Sequence, residues 1–191
     1  MTIRDYLTIP NVLSASRIVF LPLLYGLCLA RLEIPFVIVY ALVGMTDFFD
    51  GIAARRLNQC SAFGKTLDSI ADLPFYLSSA FFMAFLHLQY LKPVMLLLYV
   101  MLGFLALSFV VSSIRCRKPI LMHTFLLKLV AVLVYFVVIL SSFVDTTIPV
   151  AVILAIYILG FIEEILIWLV HGEVDPDSPT IFRVRPKQAR S

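Results

Sequence analysis

The chain has 191 residues, 62% of them hydrophobic and 14% charged, with a formal net charge of +3 at pH 7. A soluble domain carries roughly a quarter charged residues. The apolar excess here is gathered into long runs, which excludes an ordinary soluble domain and indicates an all-α integral membrane protein.

In chain order, residues 3–9 mix Arg4, Asp5 and Tyr6 with apolar side chains, a pattern suited to a short interfacial helix. Apolar stretches then follow at 12–30, 34–49, 67–91, 93–114, 120–142 and 148–170. Each is near the ~20 residues needed to cross the hydrocarbon core, so six transmembrane helices are expected. The first is read as a retained helix because no small-residue cleavage site follows it. Pro35 and Pro93 stand where helices begin, and Pro22 lies inside the first stretch, at a place for a kink. From Gly172 the chain turns polar, with Pro176, Pro179 and Pro186, and is expected to have little structure of its own. The reading is thus one membrane domain over 1–171 and a polar cytoplasmic tail over 172–191, without an internal repeat. Cys28, Cys60 and Cys116 are far apart and form no CxxC pair, which favours free thiols over a disulfide or a zinc site.

Basic residues set the orientation. Arg4, then Arg55, Arg56 and Lys65, then Arg115, Arg117 and Lys118, and finally Arg183, Arg185, Lys187 and Arg190 all fall on one side of the expected topology. The opposite loops offer Arg31 and Lys92. Both termini are therefore expected in the cytoplasm.

Against this background one stretch, TDFFDGIAARRLNQCSAFGKTLDSIAD at 46–72, stands out. Asp47 and Asp50 are three apart at the end of the second span; Asp68 and Asp72 are four apart at the start of the third. On helices such pairs project about 60° and about 40° apart, and a short connection makes the two helices antiparallel neighbours. The four carboxylates then share one depth at the cytoplasmic edge. Each would cost about 2.5–3.5 kcal/mol at the membrane centre, less near the interface, and like charges crowd one another. Hard divalent ions with oxygen ligands would offset this, and four carboxylates suit a pair of them. The stretch has no histidine, which argues against zinc. The plainer alternative has the aspartates capping helices or pairing with Arg55, Arg56 and Lys65. Gly51 and Ala54 lie on the Asp47 side of the helix, where missing bulk admits a flat ligand or, equally, a neighbouring helix.

Written out, the stretch reads Asp47-x2-Asp50-Gly51-x2-Ala54-Arg55-x8-Gly64-x3-Asp68-x3-Asp72. It resembles, without a gap, the signature of the CDP-alcohol phosphatidyltransferase family, and the likeness extends over the six spans but not the tail. The resemblance implies transfer of a phosphatidyl or phosphoalcohol group from a CDP-linked lipid or alcohol to a hydroxyl, with release of CMP. It implies that Asp47, Asp50, Asp68 and Asp72 hold two divalent cations, Mg2+ or Mn2+. Asp72 would also be the general base, and Gly51, Ala54, Arg55 and Gly64 would line the nucleotide and diphosphate site. A carboxylate beside metal ions is a weak base, so positioning of the acceptor hydroxyl is the other role open to Asp72. The partners implied are the CDP-lipid, a small polar or phosphorylated alcohol, membrane lipid and a second copy of the chain in a homodimer; no nucleic acid is expected.

The first span adds IPNVLSASRIVFLP at 9–22, which is similar to the opening of the phosphatidylglycerophosphate and cardiolipin synthase branch. There Asn11 and Ser14 would stand near the nucleotide; the alternative for Asn11 is a helix N-cap. Two departures concern the acceptor. Ser69 and Leu73 replace the proline and lysine usual in phosphatidylglycerophosphate synthases, and RCRKPILMHTFLLK at 115–128 stands where those relatives carry a Lys-Thr-rich segment. Lys128, Glu163, Glu164 and Arg17 are further ionisable residues within spans, expected to form a Lys128–Glu163 or an Arg17–Glu164 pair. In the functional alternative Lys128 joins Arg115, Arg117 and Lys118 in binding an acceptor phosphate. The favoured acceptor is glycerol 3-phosphate, ahead of phosphatidylglycerol, inositol phosphate and other alcohols. Two rivals of other classes are a magnesium-dependent membrane prenyltransferase, which would release pyrophosphate, and a cation transporter, which would leave CDP-lipid intact.

Overall fold

The structure is a computed structural model and describes residues 8–56, 59, 62–116, 124–172, 174 and 178–181. The helices are α1 (Ile9–Leu29), α2 (Glu33–Arg56), α3 (Ala62–Leu86), the short α4 (Leu88–Leu91), α5 (Met95–Cys116), α6 (Phe125–Leu140) and α7 (Thr147–His171), with a 3-10 turn at Lys92–Val94 before α5. No strand occurs among the described residues. Three helical stretches there, Ile9–Leu29, Leu88–Arg115 and Thr147–His171, are long and apolar enough to cross a bilayer. The chain is an all-α membrane protein. The interfacial helix expected at 3–9 falls almost entirely outside the described residues.

Helix bounds depart from the apolar stretches where polar residues continue a helix beyond lipid-compatible sequence. α2 runs on to Arg56, past the end of its hydrophobic run, and α3 begins at Ala62. α6 begins later than expected, at Phe125. Lys128 consequently sits in the first turn of α6 and is exposed, which corrects the expectation of a lysine within the span. α1 runs unbroken through Pro22, whose ring lies on an exposed face. Thr8, not Asn11, is the N-cap of α1; Asn11 lies inside the helix and is buried.

The chain folds as two units, Met1–Leu88 with Val138–Val144, and Gln89–Val137 with Asp145–Ser191. In the first, α1 packs on both α2 and α3. The turn from α1 to α2 is tight: the Leu32 N–H reaches Leu27 O and the Arg31 N–H reaches Cys28 O, each at 3.0 Å. That double bond pattern closes a helix with one left-handed residue, here Arg31 at φ 54°. Its guanidinium lies 5.6 Å from the centre of the Phe85 ring.

The second unit packs α5 against α7. α6 meets α7 at Gly160, where a Cβ would stand 3.0 Å from Leu127 Cδ2. The described residues of the tail, Gly172, Val174 and 178–181, have partners on the helices. Val174 is buried against Ile167 and Trp168, the Pro179 carbonyl accepts the Phe125 N–H at 2.9 Å, and the Ile181 N–H donates to Glu163 Oε1 at 3.1 Å. A proline-rich segment can still fold when its few apolar side chains and backbone groups find partners on a helix.

Candidate functional site

The buried stripes of the first unit repeat in steps of three and four, the spacing that keeps side chains on one helix face. On α1 the stripe is Asn11, Ser14, Arg17, Leu21, Leu24 and Cys28; on α2 it includes Phe36, Tyr40, Val43 and Asp50. On α3 the series runs from the partly exposed Asp68 and Asp72 to the buried Phe75, Ser79 and Phe82. Each stripe has a polar end and an apolar end.

The apolar ends interlock. Tyr40 stacks on Phe75 with ring centres 5.2 Å apart and on Phe36 at 5.5 Å, while Phe82 meets Phe36 edge-on at 5.0 Å. The hydroxyls within this layer are satisfied in place: Tyr40 Oη lies 2.8 Å from Ser79 Oγ, and Tyr25 Oη 3.0 Å from Ser78 Oγ. A packed aromatic layer fixes the register of the three helices, and with it the position of their polar ends.

At those polar ends three carboxylates converge on one guanidinium. Arg17 donates through Nη2 to Asp50 Oδ2 at 2.8 Å and to Asp68 Oδ1 at 2.5 Å, and through Nη1 to Asp72 Oδ1. Ser14 Oγ donates to Asp50 Oδ2 at 2.9 Å. Among the described side chains, Asp50, Asp68 and Asp72 therefore share one guanidinium supplied by α1. Arg17 takes partners on α2 and α3 that the sequence reading did not anticipate. The signal was available in the polar run Asn11-x2-Ser14-x2-Arg17 on one stripe of an otherwise apolar helix.

Exposure is graded across the cluster. The side chains of Arg17 and Asp50 are 1% and 6% exposed, whereas those of Asp68 and Asp72 are 40% and 32% exposed. Asp50 is the floor, and Asp68 and Asp72 are the carboxylates an incoming polar group meets first. A guanidinium stays protonated, so its burial requires charged partners. Asp50 at the floor supplies the least solvated of them.

The other expected site residues divide as follows. Gly64 lies in the first turn of α3 and Asn11 on the buried stripe of α1. Asp47, Gly51, Ala54 and Arg55 belong to α2, and their side chains lie outside the described residues. Arg117 and Lys118 lie outside them as well. Arg115 and Lys128 belong to the second unit, where Arg115 Nη2 donates to the Leu169 carbonyl at 2.8 Å, a contact that satisfies a carbonyl near the end of α7. Glu163 Oε1 accepts the Ile181 N–H.

Among the described residues no group of three carboxylate, histidine or cysteine side chains forms a ready metal cage. The donor set nonetheless fits a hard divalent ion by its chemistry. It consists of carboxylate oxygens directed at one cationic centre, the ligand type that Mg2+ and Mn2+ take.

A family model described as CDP-alcohol phosphatidyltransferase matches residues 7–171. The chain is 33% identical over 97 residues to a CDP-diacylglycerol--glycerol-3-phosphate 3-phosphatidyltransferase of Aquifex aeolicus, covering 51% of this chain and 53% of that protein. It is 35% identical over 91 residues to a CDP-diacylglycerol--inositol 3-phosphatidyltransferase of Candida albicans, covering 47% and 39%. It is 42% identical over 80 residues to a cardiolipin synthase (CMP-forming) of Streptomyces coelicolor, covering 38% and 37%. The chain thus spans about half the length, or less, of these relatives.

Proposed function

This chain belongs to the CDP-alcohol phosphatidyltransferase family, and on that premise we propose that it is an enzyme of phospholipid biosynthesis. It transfers a phosphatidyl group from a CDP-activated lipid such as CDP-diacylglycerol to the hydroxyl of a small polar acceptor, releasing CMP. The observation that carries the reading is the gathering of Asp50, Asp68 and Asp72, from two helices, on one buried cationic centre.

In the proposed reaction the acceptor oxygen attacks the phosphorus of the phosphatidyl group. The bond from that phosphorus to the CMP oxygen breaks, and the pair of electrons leaves with CMP. Asp72, at the exposed side of the cluster, orients the acceptor hydroxyl and takes its proton. Asp47, Asp50, Asp68 and Asp72 would hold two divalent cations, Mg2+ or Mn2+. Bound there, the ions would neutralise charge on the phosphate oxygens as the leaving group departs. Asn11, Gly51, Ala54, Arg55 and Gly64 line the donor's nucleotide and diphosphate, and Arg115, Arg117, Lys118 and Lys128 attract a phosphorylated acceptor.

The same reading gives the protein six crossings, both termini and the active site on the cytoplasmic side, and a homodimeric assembly. Such a site leaves the lipid chains in the bilayer while CDP and a polar acceptor arrive from water. Glycerol 3-phosphate is the favoured acceptor, supported by the similarity to the glycerol-3-phosphate phosphatidyltransferase of Aquifex aeolicus. Inositol-linked and cardiolipin-forming activities of the other relatives mark the alternatives.

The test is purified protein with Mg2+, CDP-diacylglycerol and a panel of acceptors, followed by CMP release. Release dependent on glycerol 3-phosphate is expected. Release with phosphatidylglycerol or an inositol phosphate instead would reassign the acceptor, and no release with any alcohol would overturn the transferase reading.

A further inference from the structure

We propose that Arg17 is the internal counter-ion of the acidic cluster and competes with divalent cations for its carboxylate oxygens. The inference rests on the metal-dependent transferase reading above and adds a residue that lies outside the aspartate signature.

The geometry argues for competition. Arg17 spends its two terminal nitrogens on Asp50, Asp68 and Asp72, each through an oxygen that a divalent ion would use. A guanidinium does not lose its proton, so its charge cannot be switched off when a metal arrives. Two cationic centres on the same oxygens repel strongly where solvent is scarce, and Arg17 and Asp50 are almost wholly buried. The metal and the guanidinium therefore exclude one another from these contacts. The cluster is also biased toward exchange. Asp68 and Asp72 are partly exposed, so the guanidinium can release them to water while Asp50, held by Ser14, stays in place.

Displaced from the carboxylates, the side chain needs a new anion, because a lone buried charge is costly. The donor's diphosphate supplies one at the same end of the helices. Arg17 thereby couples the two ligands: metal binds weakly until the anionic donor arrives to receive the guanidinium. Without the arginine, Asp50, Asp68 and Asp72 would bind metal tightly in the absence of substrate.

The test compares the full chain with Arg17→Gln and Arg17→Lys in detergent, titrating Mn2+ by calorimetry or by loss of the free-ion EPR signal, with and without CDP-diacylglycerol. Arg17→Gln should bind Mn2+ at least tenfold more tightly without donor and gain less than the unmodified protein when donor is added. Arg17→Lys, which keeps the charge, should stay within about threefold of the unmodified protein. Should Arg17→Gln prove too unstable to purify alone, Mn2+ in the buffer should restore it, a rescue that an arginine of merely structural purpose would not show. Equal or weaker Mn2+ binding by Arg17→Gln, or no rescue by Mn2+, overturns the counter-ion role while leaving the metal site standing. Absence of Mn2+ binding in every protein overturns the metal reading and this inference together.

Discussion

Asp50 and Asp68 bond to the same nitrogen of Arg17, yet they differ in what surrounds them. Asp50 is buried and also receives Ser14 Oγ, so it serves the fold as well as the site. Replacing it with alanine removes the least solvated partner of a buried charge and should destabilise the protein by about 3–5 kcal/mol. Asp68 is partly exposed, and water can replace much of its contact with Arg17. Asp68→Asn should therefore leave the unfolding temperature nearly unchanged while reducing CMP release by about 100-fold or more, the scale of a lost electrostatic contact to a developing charge. Thermal unfolding in detergent and turnover, measured on both variants, separate the two roles. If Asp68→Asn turns over normally, Asp68 is not part of the site.

Helix-to-helix packing follows different rules in the two units. In the first, bulky rings fill the space between α1, α2 and α3, and Tyr40 alone touches Phe36, Phe75 and Ser79. In the second, α6 and α7 approach through a missing side chain at Gly160. Small residues permit such closeness in membranes, where lipid offers no hydrophobic drive for association. An alanine there would press on Leu127 Cδ2, the movable end of a flexible side chain, and gains about 0.5–1 kcal/mol of helix preference over glycine. The two effects oppose, so Gly160→Ala should be near neutral. Gly160→Leu cannot be absorbed in the same way and should cost about 1–3 kcal/mol by overpacking. Unfolding temperatures of the pair test this, and a tolerated leucine would show that the helices separate easily at that point.

For the whole molecule, the described residues of the tail depart most from their sequence character. Glycine, prolines and acidic residues from Gly172 onward suggest a segment without fixed structure. Yet Val174 is buried against Trp168, and backbone groups near Pro179 and Ile181 close on Phe125 and Glu163. Ending the chain at Gly172 should lower the unfolding temperature of the protein. Val174→Asp, which places a charge against Ile167 and Trp168, should do so without shortening the chain. Unchanged melting of both variants would show that the tail contributes nothing to the fold.

Much of this protein is written along the chain. Hydrophobic runs are a local property, and the membrane class and the places of the long helices follow from them because a bilayer accepts little else. The fixed spacing of Asp47, Asp50, Asp68 and Asp72 likewise carried the resemblance to the family, since residue types at set intervals are also a local property of the chain. What the spacing could not determine was the third wall. Arg17 is distant in sequence from every aspartate it touches, and only the packing of α1 against both α2 and α3 brings it to them. The same limit hid the tail's anchorage. Periodicity reports which face of a helix is buried, but the neighbour that buries it, and so the partner of each buried charge, is decided when the helices meet.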